Sequence, residues 1–345
     1  MAESQLRIAV VGSGYMGRTY GNGLVKFNKR AKLVAVCGGK RGPQLASDLK
    51  VEFEPSYDKL MERSDVDAVI LATPHSAHLE ETLKAAKHGK HVLTEKPMAT
   101  TLQDCDAMIE ACKKANVYLE VIRTLRFRGT PLRAKQLIDE GAIGNVEMIK
   151  GQSLFTAYMD DNTKDAWILD PKEGGAMLDM GVHNMDILRF LAGSDVKRLF
   201  STVTTFTPGG RIPNVTAMTQ LVFKNGVIAQ MWMCHEMPPP SLPDSWHRYT
   251  VVGDKGILDI DGYGKLMLGK GDKWETVWTQ PPFDPNHDPA HPARLVAFYT
   301  QVEAFAEDVL DHRNPTAPGS EGRIAVELVE AANRSSATGK AIEFP

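Results

Sequence analysis

The chain has 345 residues, of which 43% are hydrophobic and 24% charged, and this length and composition indicate a globular protein of two domains. Its formal net charge of -3 leaves no basic footprint for nucleic acid. The sequence contains neither a run of about 18 apolar residues nor the pattern of a secretory signal, so we expect a cytoplasmic protein with no membrane and no nucleic-acid partner.

Short apolar segments alternate with helical segments through the first third of the chain. The apolar segments are predicted strands because they are short and rich in β-branched residues. They are Leu6–Val11, Leu33–Cys37, Val66–Thr73, His91–Thr94 and Val117–Ile122. The predicted helices lie from the glycine motif to about Lys29, and at Pro43–Lys50, His78–His88 and Leu102–Ala115. This alternation predicts a parallel sheet with helices on both faces.

A glycine motif lies between the first predicted strand and the first predicted helix. Gly12, Gly14 and Gly17 have the G-x-G-x-x-G spacing. In such a motif the first glycine permits a tight turn, the second lets the backbone approach a pyrophosphate, and the third lets helix and strand pack closely. The helix that begins near Tyr15 and Met16 directs free N–H groups at the phosphate. The strand-to-helix setting favours a dinucleotide site over a plain turn.

The end of the second strand bears on the choice of cofactor. A site that prefers NAD usually has an acidic residue here, which binds the ribose 2′-hydroxyl. This chain has Gly38-Gly39-Lys40-Arg41 instead. Two cations without a carboxylate would attract a 2′-phosphate, so we predict NADP, with NAD as the alternative if Lys40 and Arg41 are only solvated.

Lys96 directly follows the strand His91–Thr94, in the segment Glu95-Lys96-Pro97. Ligands of doubly wound sheets bind at the carboxyl ends of strands, so this lysine is placed to donate to a substrate oxygen and to stabilise negative charge there. A surface lysine held by Glu95 fits the position equally well.

A predicted helix over Met177–Leu191 carries Asp179, His183 and Asp186 on neighbouring positions of one face. A histidine beside a carboxylate has its tautomer fixed and can exchange a proton with a hydroxyl or carbonyl oxygen. Spacing alone favours a histidine whose hydrogen bonds are satisfied within its own helix and that has no catalytic role. No cysteine or acidic motif completes a zinc site, so we expect no metal.

Motifs along nearly the whole chain resemble those of the glucose-fructose oxidoreductase / inositol dehydrogenase / rhizopine-catabolism (Gfo/Idh/MocA) family. Their order and spacing make the resemblance specific. The matching residues are Val10–Gly17, Ala72-Thr73-Pro74 with His78, Glu95-Lys96-Pro97, Arg126-Phe127, Trp167, Gly174-Gly175, Asp179, Gly181, His183, Asp186, Phe305, Ser335–Lys340 and Pro345.

The resemblance implies two domains: an α/β Rossmann dinucleotide-binding domain over residues 1–125, and an α+β substrate-binding and oligomerisation domain over residues 126–345. The second is expected to have a large open, mostly antiparallel sheet, through which relatives commonly form homodimers or homotetramers. The later sequence agrees, with predicted strands Val146–Phe155, Arg198–Thr205, Thr216–Phe223, Gly226–Cys234, Arg248–Val252, Gly256–Asp261, Lys265–Leu268 and Trp274–Val277. Helices Ala293–Leu310 and Arg323–Ala337 are predicted to follow.

The resemblance also implies an NAD(P)-dependent dehydrogenase or reductase that acts on a secondary alcohol or ketone of a sugar, polyol or related hydroxy compound. Its catalytic residues would be Lys96, Asp179 and His183, with His183 as proton acceptor or donor. The expected cofactor-binding residues are Gly12, Gly14, Tyr15, Met16, Gly17, Gly38, Gly39, Lys40, Arg41, Thr73, Pro74, His78, Glu95 and Lys96. The candidate substrate contacts are Arg123, Arg126, Tyr158, Trp167, Asp179 and His183.

Two other functions stay open. The substrate of a related enzyme could be a non-carbohydrate carbonyl or a dihydrodiol, or the chain could be a catalytically silent NADP-sensing regulator. Regulators of this kind typically lack the catalytic lysine or histidine, and both are present here. One departure from the family is Ile168, which stands where relatives often have an arginine that contacts cofactor or substrate.

Overall fold

The computed structural model describes residues 4–156, 170–206, 214–238, 246–282 and 291–345. The strands are β1 (Leu6–Val11), β2 (Ala31–Cys37), β3 (Glu52–Glu54), β4 (Ala68–Leu71), β5 (His91–Thr94), β6 (Leu119–Val121), β7 (Val146–Leu154), β8 (Val196–Thr204), β9 (Thr216–Phe223), β10 (Ile228–Cys234), β11 (His247–Gly253), β12 (Gly256–Asp261), β13 (Lys265–Lys270), β14 (Lys273–Thr279) and β15 (Ile342–Glu343). The helices are α1 (Tyr15–Lys26), α2 (Gly42–Leu49), α3 (Tyr57–Glu62), α4 (His78–Lys87), α5 (Leu102–Lys114), α6 (Gly129–Asp139), α7 (Gly175–Ala192), α8 (Pro292–Leu310) and α9 (Gly319–Thr338).

The chain divides into two compact units. The first consists of Met1–Phe127 and Phe283–Val326, and the second of Arg128–Pro282 and Glu327–Pro345. A late segment that the sequence interpretation placed in the second domain therefore belongs to the first unit. No helix within the described residues is both long and apolar enough to span a bilayer.

The first unit contains a parallel sheet with the strand order β3-β2-β1-β4-β5-β6. Its centre is apolar on both faces, since all four residues of β4 and nearly all of β1 are buried. The predicted Rossmann-like sheet is thus confirmed. The sequence analysis missed β3 because it is three residues long and has glutamate at both ends.

Helix α8 completes the core of the first unit from the far end of the chain. It packs against α1, β1 and β2. Phe298, Val302 and Phe305 share one buried cluster with Ile8 and Val10 of β1. Burial of such side chains contributes roughly 1.5–3 kcal/mol each, so the first unit depends on residues nearly 300 positions after its first strand.

The second unit contains a nine-stranded mixed sheet with the order β14-β13-β12-β11-β7-β10-β9-β8-β15. Strand β10 pairs with β7 in parallel and every other neighbouring pair is antiparallel, which confirms the predicted open, mostly antiparallel sheet. Helices α6 and α7 pack against the sheet strands. Burial alternates along β11, as expected where one face is covered and the other open.

Candidate active site

The glycine motif forms the turn between β1 and α1, and its three glycines have different surroundings. Gly12 has φ +99°, and a Cβ there would lie 2.4 Å from the carbonyl oxygen of Ala72. A Cβ on Gly17 would lie 2.0 Å from the carbonyl oxygen of Gly12. A Cβ on Gly14 would meet nothing within 4 Å. The first and third glycines are thus required by backbone packing, whereas the second borders open space.

That open space lies at the N-terminus of α1. Gly14 is the N-cap residue and, being a glycine, has no side chain that could cap the helix. Uncapped N–H groups and the positive end of the helix dipole together suit a phosphate. The geometry fits a dinucleotide pyrophosphate, because a side chain at Gly14 would fill the volume that the phosphate needs.

The segment after β2 carries the two predicted cations. Gly38 and Gly39 have φ of +70° and +75°, and a Cβ on Gly39 would lie 2.2 Å from Oγ of Ser13, so this turn packs directly against the glycine motif. Lys40 and Arg41 are exposed, and neither forms an ion pair with a described residue. Their charges are available to an anionic ligand.

Glu81 of α4 is a carboxyl group near the end of β2 that the sequence analysis did not identify. Thr73, just after β4, donates to its Oε2 at 2.6 Å. Burial raises the pKa of Glu81 to about 7, although the Thr73 hydrogen bond opposes the shift. Burial and then the neighbouring carboxylates of Glu54 and Glu81 also raise the pKa of the Cys37 thiol to about 12. The sequence at the end of β2, where Cys37 lies, could not reveal these two acids, because Glu54 belongs to β3 and Glu81 to α4.

His78 joins the two loops that follow β4 and β5. Its ring is fully buried, with Nε2 3.1 Å from the carbonyl oxygen of Thr73 and Nδ1 3.1 Å from that of Pro97. Burial, and next the charge of His75, lower the pKa of His78 to about 4, so the ring is neutral near pH 7. A neutral imidazole carries a single N–H, so His78 donates to only one of these two carbonyl oxygens while its ring contacts both loops. Any contribution to cofactor binding is exerted through Thr73 or the Lys96-Pro97 segment.

Glu95 holds the backbone of Lys96 through a hydrogen bond. It is 6% exposed, accepts a hydrogen bond from the Tyr20 hydroxyl, and accepts another from the backbone N–H of Lys96 at 3.0 Å. Lys96 itself is partly exposed. The lysine is thus presented by a backbone that a buried carboxylate and a buried histidine hold in place.

Arg294 of α8 positions Tyr15 and was not found from the sequence. Its guanidinium carbon lies 4.7 Å from the centre of the Tyr15 ring and 5.1 Å from that of Phe298. It also donates to Oγ1 of Thr19. Only the packing of α8 onto α1 brings this arginine to the glycine motif, so no local sequence pattern could reveal it.

Helix α7 carries Asp179 and His183 in the second unit. The helix is apolar nearly all round, and its buried positions include Asn184 and Asp186. Only Asp179, Met180, His183 and Phe190 keep partial exposure among its residues. Two of the three polar groups predicted here, Asp179 and His183, therefore lie on the narrow accessible strip of an otherwise buried helix.

The candidate substrate contacts fall in both units. Arg123 and Arg126, in the first unit, both approach Oε2 of Glu321, at 3.5 Å and 3.1 Å. Tyr158 and Trp167 lie outside the described residues, as does Ile168. The two arginines thus share one carboxylate, which offsets part of their charge.

Comparison with known proteins covers both units. A profile described as an oxidoreductase family with an NAD-binding Rossmann fold matches residues 6–122, and one described as the GFO/IDH/MocA C-terminal domain matches residues 132–259. The chain is 30% identical to 1,5-anhydro-D-fructose reductase of Ensifer adhaerens, over 84% of the chain and 83% of that protein.

Two further comparisons differ in their coverage. The chain is 35% identical to 2,7-anhydro-N-acetylneuraminate hydratase of Mediterraneibacter gnavus over 54% of its residues, and this match spans only about half (49%) of that relative. The crystal structure of aldose-aldose oxidoreductase from Caulobacter crescentus, complexed with glycerol, superimposes with a TM-score of 0.84 at 25% identity, covering 99% of this chain and all of that one.

Proposed function

Since the chain belongs to the Gfo/Idh/MocA oxidoreductase family, we propose that it is an NAD(P)-dependent oxidoreductase acting on a CH–OH group or ketone of a sugar, polyol or related hydroxy compound. The observation that carries the proposal is the open, uncapped N-terminus of α1 beside Gly14, which suits a dinucleotide pyrophosphate. The accessible Asp179 and His183 on a buried helix support proton exchange.

The proposed reaction uses three side chains. A nicotinamide cofactor, when bound, would supply the acceptor or donor of the hydride that leaves or reaches the substrate carbon. His183 takes the hydroxyl proton during oxidation and gives it back during reduction. Lys96 donates a hydrogen bond to the same oxygen and stabilises the negative charge that develops there. Asp179, one helical turn from His183, orients the imidazole.

A substrate panel with each cofactor tests the proposal. Sugars, inositols and their acids are incubated with NAD(H) or NADP(H), and turnover is read from cofactor absorbance. Products are also analysed by mass spectrometry, because one relative is named a hydratase and a cofactor that is oxidised and re-reduced in the same cycle gives no net absorbance. Thermal stabilisation by the cofactor without formation of any product would contradict the proposal that the protein is an enzyme, and would favour a regulatory protein.

We propose NADP as the preferred cofactor, with Lys40 and Arg41 as the partners of its 2′-phosphate. Replacing both by serine is expected to lower kcat/KM for NADPH by about tenfold or more, since hydrogen bonds to charged groups contribute roughly 1.5–3 kcal/mol. The value for NADH should change less than about twofold. Steady-state kinetics with both cofactors measures this, with Lys113→Ser on α5 as an exposed control. A wild-type preference for NADH would contradict the assignment.

We propose that the open face of the second sheet pairs with another copy of this chain. Large apolar side chains are exposed along four adjacent strands, β8, β9, β10 and β7. They are Phe200 (41%), Met218 (47%), Ile228 (50%) and Met148 (46%), of which Ile228 and Met148 are register partners. Exposed apolar patches of this kind mark interaction surfaces.

Ile228→Lys is expected to weaken this association by about 100-fold or more, because each copy would bury an unpaired cation, at roughly 3–5 kcal/mol each. Light scattering after size-exclusion chromatography over a concentration series measures the effect. Val25→Lys, on an equally exposed apolar residue of α1, is the matched control. A wild-type chain that stays monomeric at high concentration would refute the proposal.

A further inference from the structure

Three arginines lie within residues 123–128, shortly after strand β6, and the third differs from the other two. Arg123 and Arg126 share the carboxylate of Glu321. Arg128 forms no ion pair with any residue that the structure describes. It immediately precedes α6 and belongs to the second unit, the one that carries Asp179 and His183. The sequence analysis did not single it out.

The guanidinium of Arg128 is buried and only partly satisfied. The residue is 6% exposed. Nη2 donates to the Tyr263 hydroxyl at 3.0 Å, and the guanidinium carbon lies 4.1 Å from the centre of the Tyr263 ring. Nε and Nη1 are buried and have no acceptor among the described residues. Nε carries one hydrogen and Nη1 two, so three of the five N–H groups await a partner.

A buried cation without a counter-ion is costly. Burial removes the hydration of the charge, and a cation–π contact returns only a small part of what is lost. An anionic ligand that binds the free N–H groups would supply the missing charge. The arrangement around Arg128 is that of a site prepared for an anion.

The neighbours of Arg128 can bind an anion but do not neutralise the cation. His247 is 3% exposed, and burial, with a smaller effect of the Arg128 charge, lowers its pKa to about 3, so it is neutral. Tyr249 is 1% exposed, and burial raises the pKa of its phenol, which therefore keeps its proton. The Tyr249 hydroxyl has no hydrogen-bond partner among the described residues, and neither has Oε1 of buried Gln280.

Rings hold this cluster in a fixed arrangement. The His247 and Tyr263 rings are stacked, with centres 6.0 Å apart and planes 18° from parallel. Gln280 donates from Nε2 to the carbonyl oxygen of Tyr263 at 3.4 Å. A ligand that enters would therefore meet donors that are already positioned, which reduces the entropy lost on binding.

We propose that Arg128 and Tyr249 form a carboxylate-binding subsite, and that the substrate is consequently a sugar acid or another hydroxy acid with one carboxylate. The planar guanidinium matches a carboxylate, and its single charge balances a monoanion, whereas His247, Tyr249 and Tyr263 supply no second cation for a phosphate dianion. This inference rests on the proposed oxidoreductase function and narrows its substrate class.

Thermal unfolding without added cofactor tests the subsite. D-Glucuronate, D-galacturonate and D-gluconate are compared with D-glucose and D-galactose at matched ionic strength. At least one acid is expected to raise the Tm in a saturable way, whereas the neutral sugars should raise it less. Sodium sulfate at the same ionic strength shows whether any anion suffices. Equal stabilisation by sulfate, or no greater stabilisation by any acid than by its neutral counterpart, would overturn the proposal.

Arg128→Met keeps the length of the side chain and removes its charge. It is expected to raise the dissociation constant of the effective acid by about tenfold or more, with a ligand-free Tm no lower than that of the wild type. Arg133→Met, on the exposed side of α6, should leave the affinity unchanged. Unaltered affinity in Arg128→Met would refute the subsite. If Arg128→Met does not fold, Tyr249→Phe is decisive, since its failure to weaken acid binding would also refute it.

Binding and turnover can fail separately. An acid that stabilises the wild type but not Arg128→Met, yet is never oxidised or reduced, would leave the subsite standing and contradict the proposed reaction. Turnover of neutral sugars only, with no stabilisation by acids, would support the reaction and contradict the subsite.

Discussion

Replacing Lys96 by methionine is expected to lower kcat by about 100- to 1000-fold, the loss typical when one preorganised donor to a developing oxyanion is removed. Methionine retains the length of the stem and deletes only the ammonium group. The backbone of residue 96 should stay in place, because Glu95 accepts its N–H and the buried ring of His78 contacts the next residue, with Nδ1 3.1 Å from the carbonyl oxygen of Pro97. The dissociation constant of the cofactor is therefore expected to change by no more than a few-fold.

Two measurements separate the roles of Lys96. Pre-steady-state hydride transfer on the best substrate of the panel reports the chemical step, and cofactor titration followed by fluorescence reports binding. Lys87→Met, on the exposed end of α4, controls for the loss of a surface charge. Full turnover in Lys96→Met would remove the residue from the mechanism. A parallel loss of cofactor affinity would reassign it to binding.

Gly17→Ala is expected to destabilise the first unit by about 3 kcal/mol or more, since the added methyl group would lie 2.0 Å from a backbone oxygen that cannot rotate away. For a unit of this size the Tm should fall by about 10 °C. Thermal unfolding followed by circular dichroism measures the change. The effect requires α1 to be pushed off β1, so the Tm should fall even with no ligand present.

Gly14→Ala is the matched substitution within the same motif. Its backbone conformation is open to any residue, and the methyl group meets nothing within 4 Å, so the Tm should change by less than about 2 °C. The dissociation constant of the cofactor should nevertheless rise by about tenfold or more, because the methyl group would occupy the space beside the uncapped helix end. Equal effects of the two substitutions on stability would contradict this division of roles.

The sequence predicted the features whose causes are local. The strand-to-helix position of the glycine motif, the buried run of β4 and the alternation along β11 each follow from a few neighbouring residues. Helix α6 escaped prediction because its first turn, Gly129-Thr130-Pro131, has the residues of a turn. The two-residue strand β15 depends entirely on its pairing with β8.

The residues that the sequence could not reveal are those whose role depends on distant partners. Arg294 acts on the glycine motif only because α8 packs on α1. Arg123 and Arg126 were the candidates named from the sequence, and only the structure shows that these two share Glu321 whereas Arg128 does not. The family resemblance, and not the spacing of Lys96, Asp179 and His183, favoured a catalytic role for those three residues, and that role stays a prediction.

The return of the chain to the first unit has a consequence for biosynthesis. Residues 128–282 are in effect an insertion between two parts of the nucleotide-binding unit, whose core lacks Phe298, Val302 and Phe305 until the chain has passed α8. A nascent chain that has emerged only to residue 127 therefore exposes the apolar surface that α8 will cover. Strands β7 to β14 of the second sheet are synthesised before α8, whereas β15 follows it, so each unit is completed only by a segment from the last part of the chain.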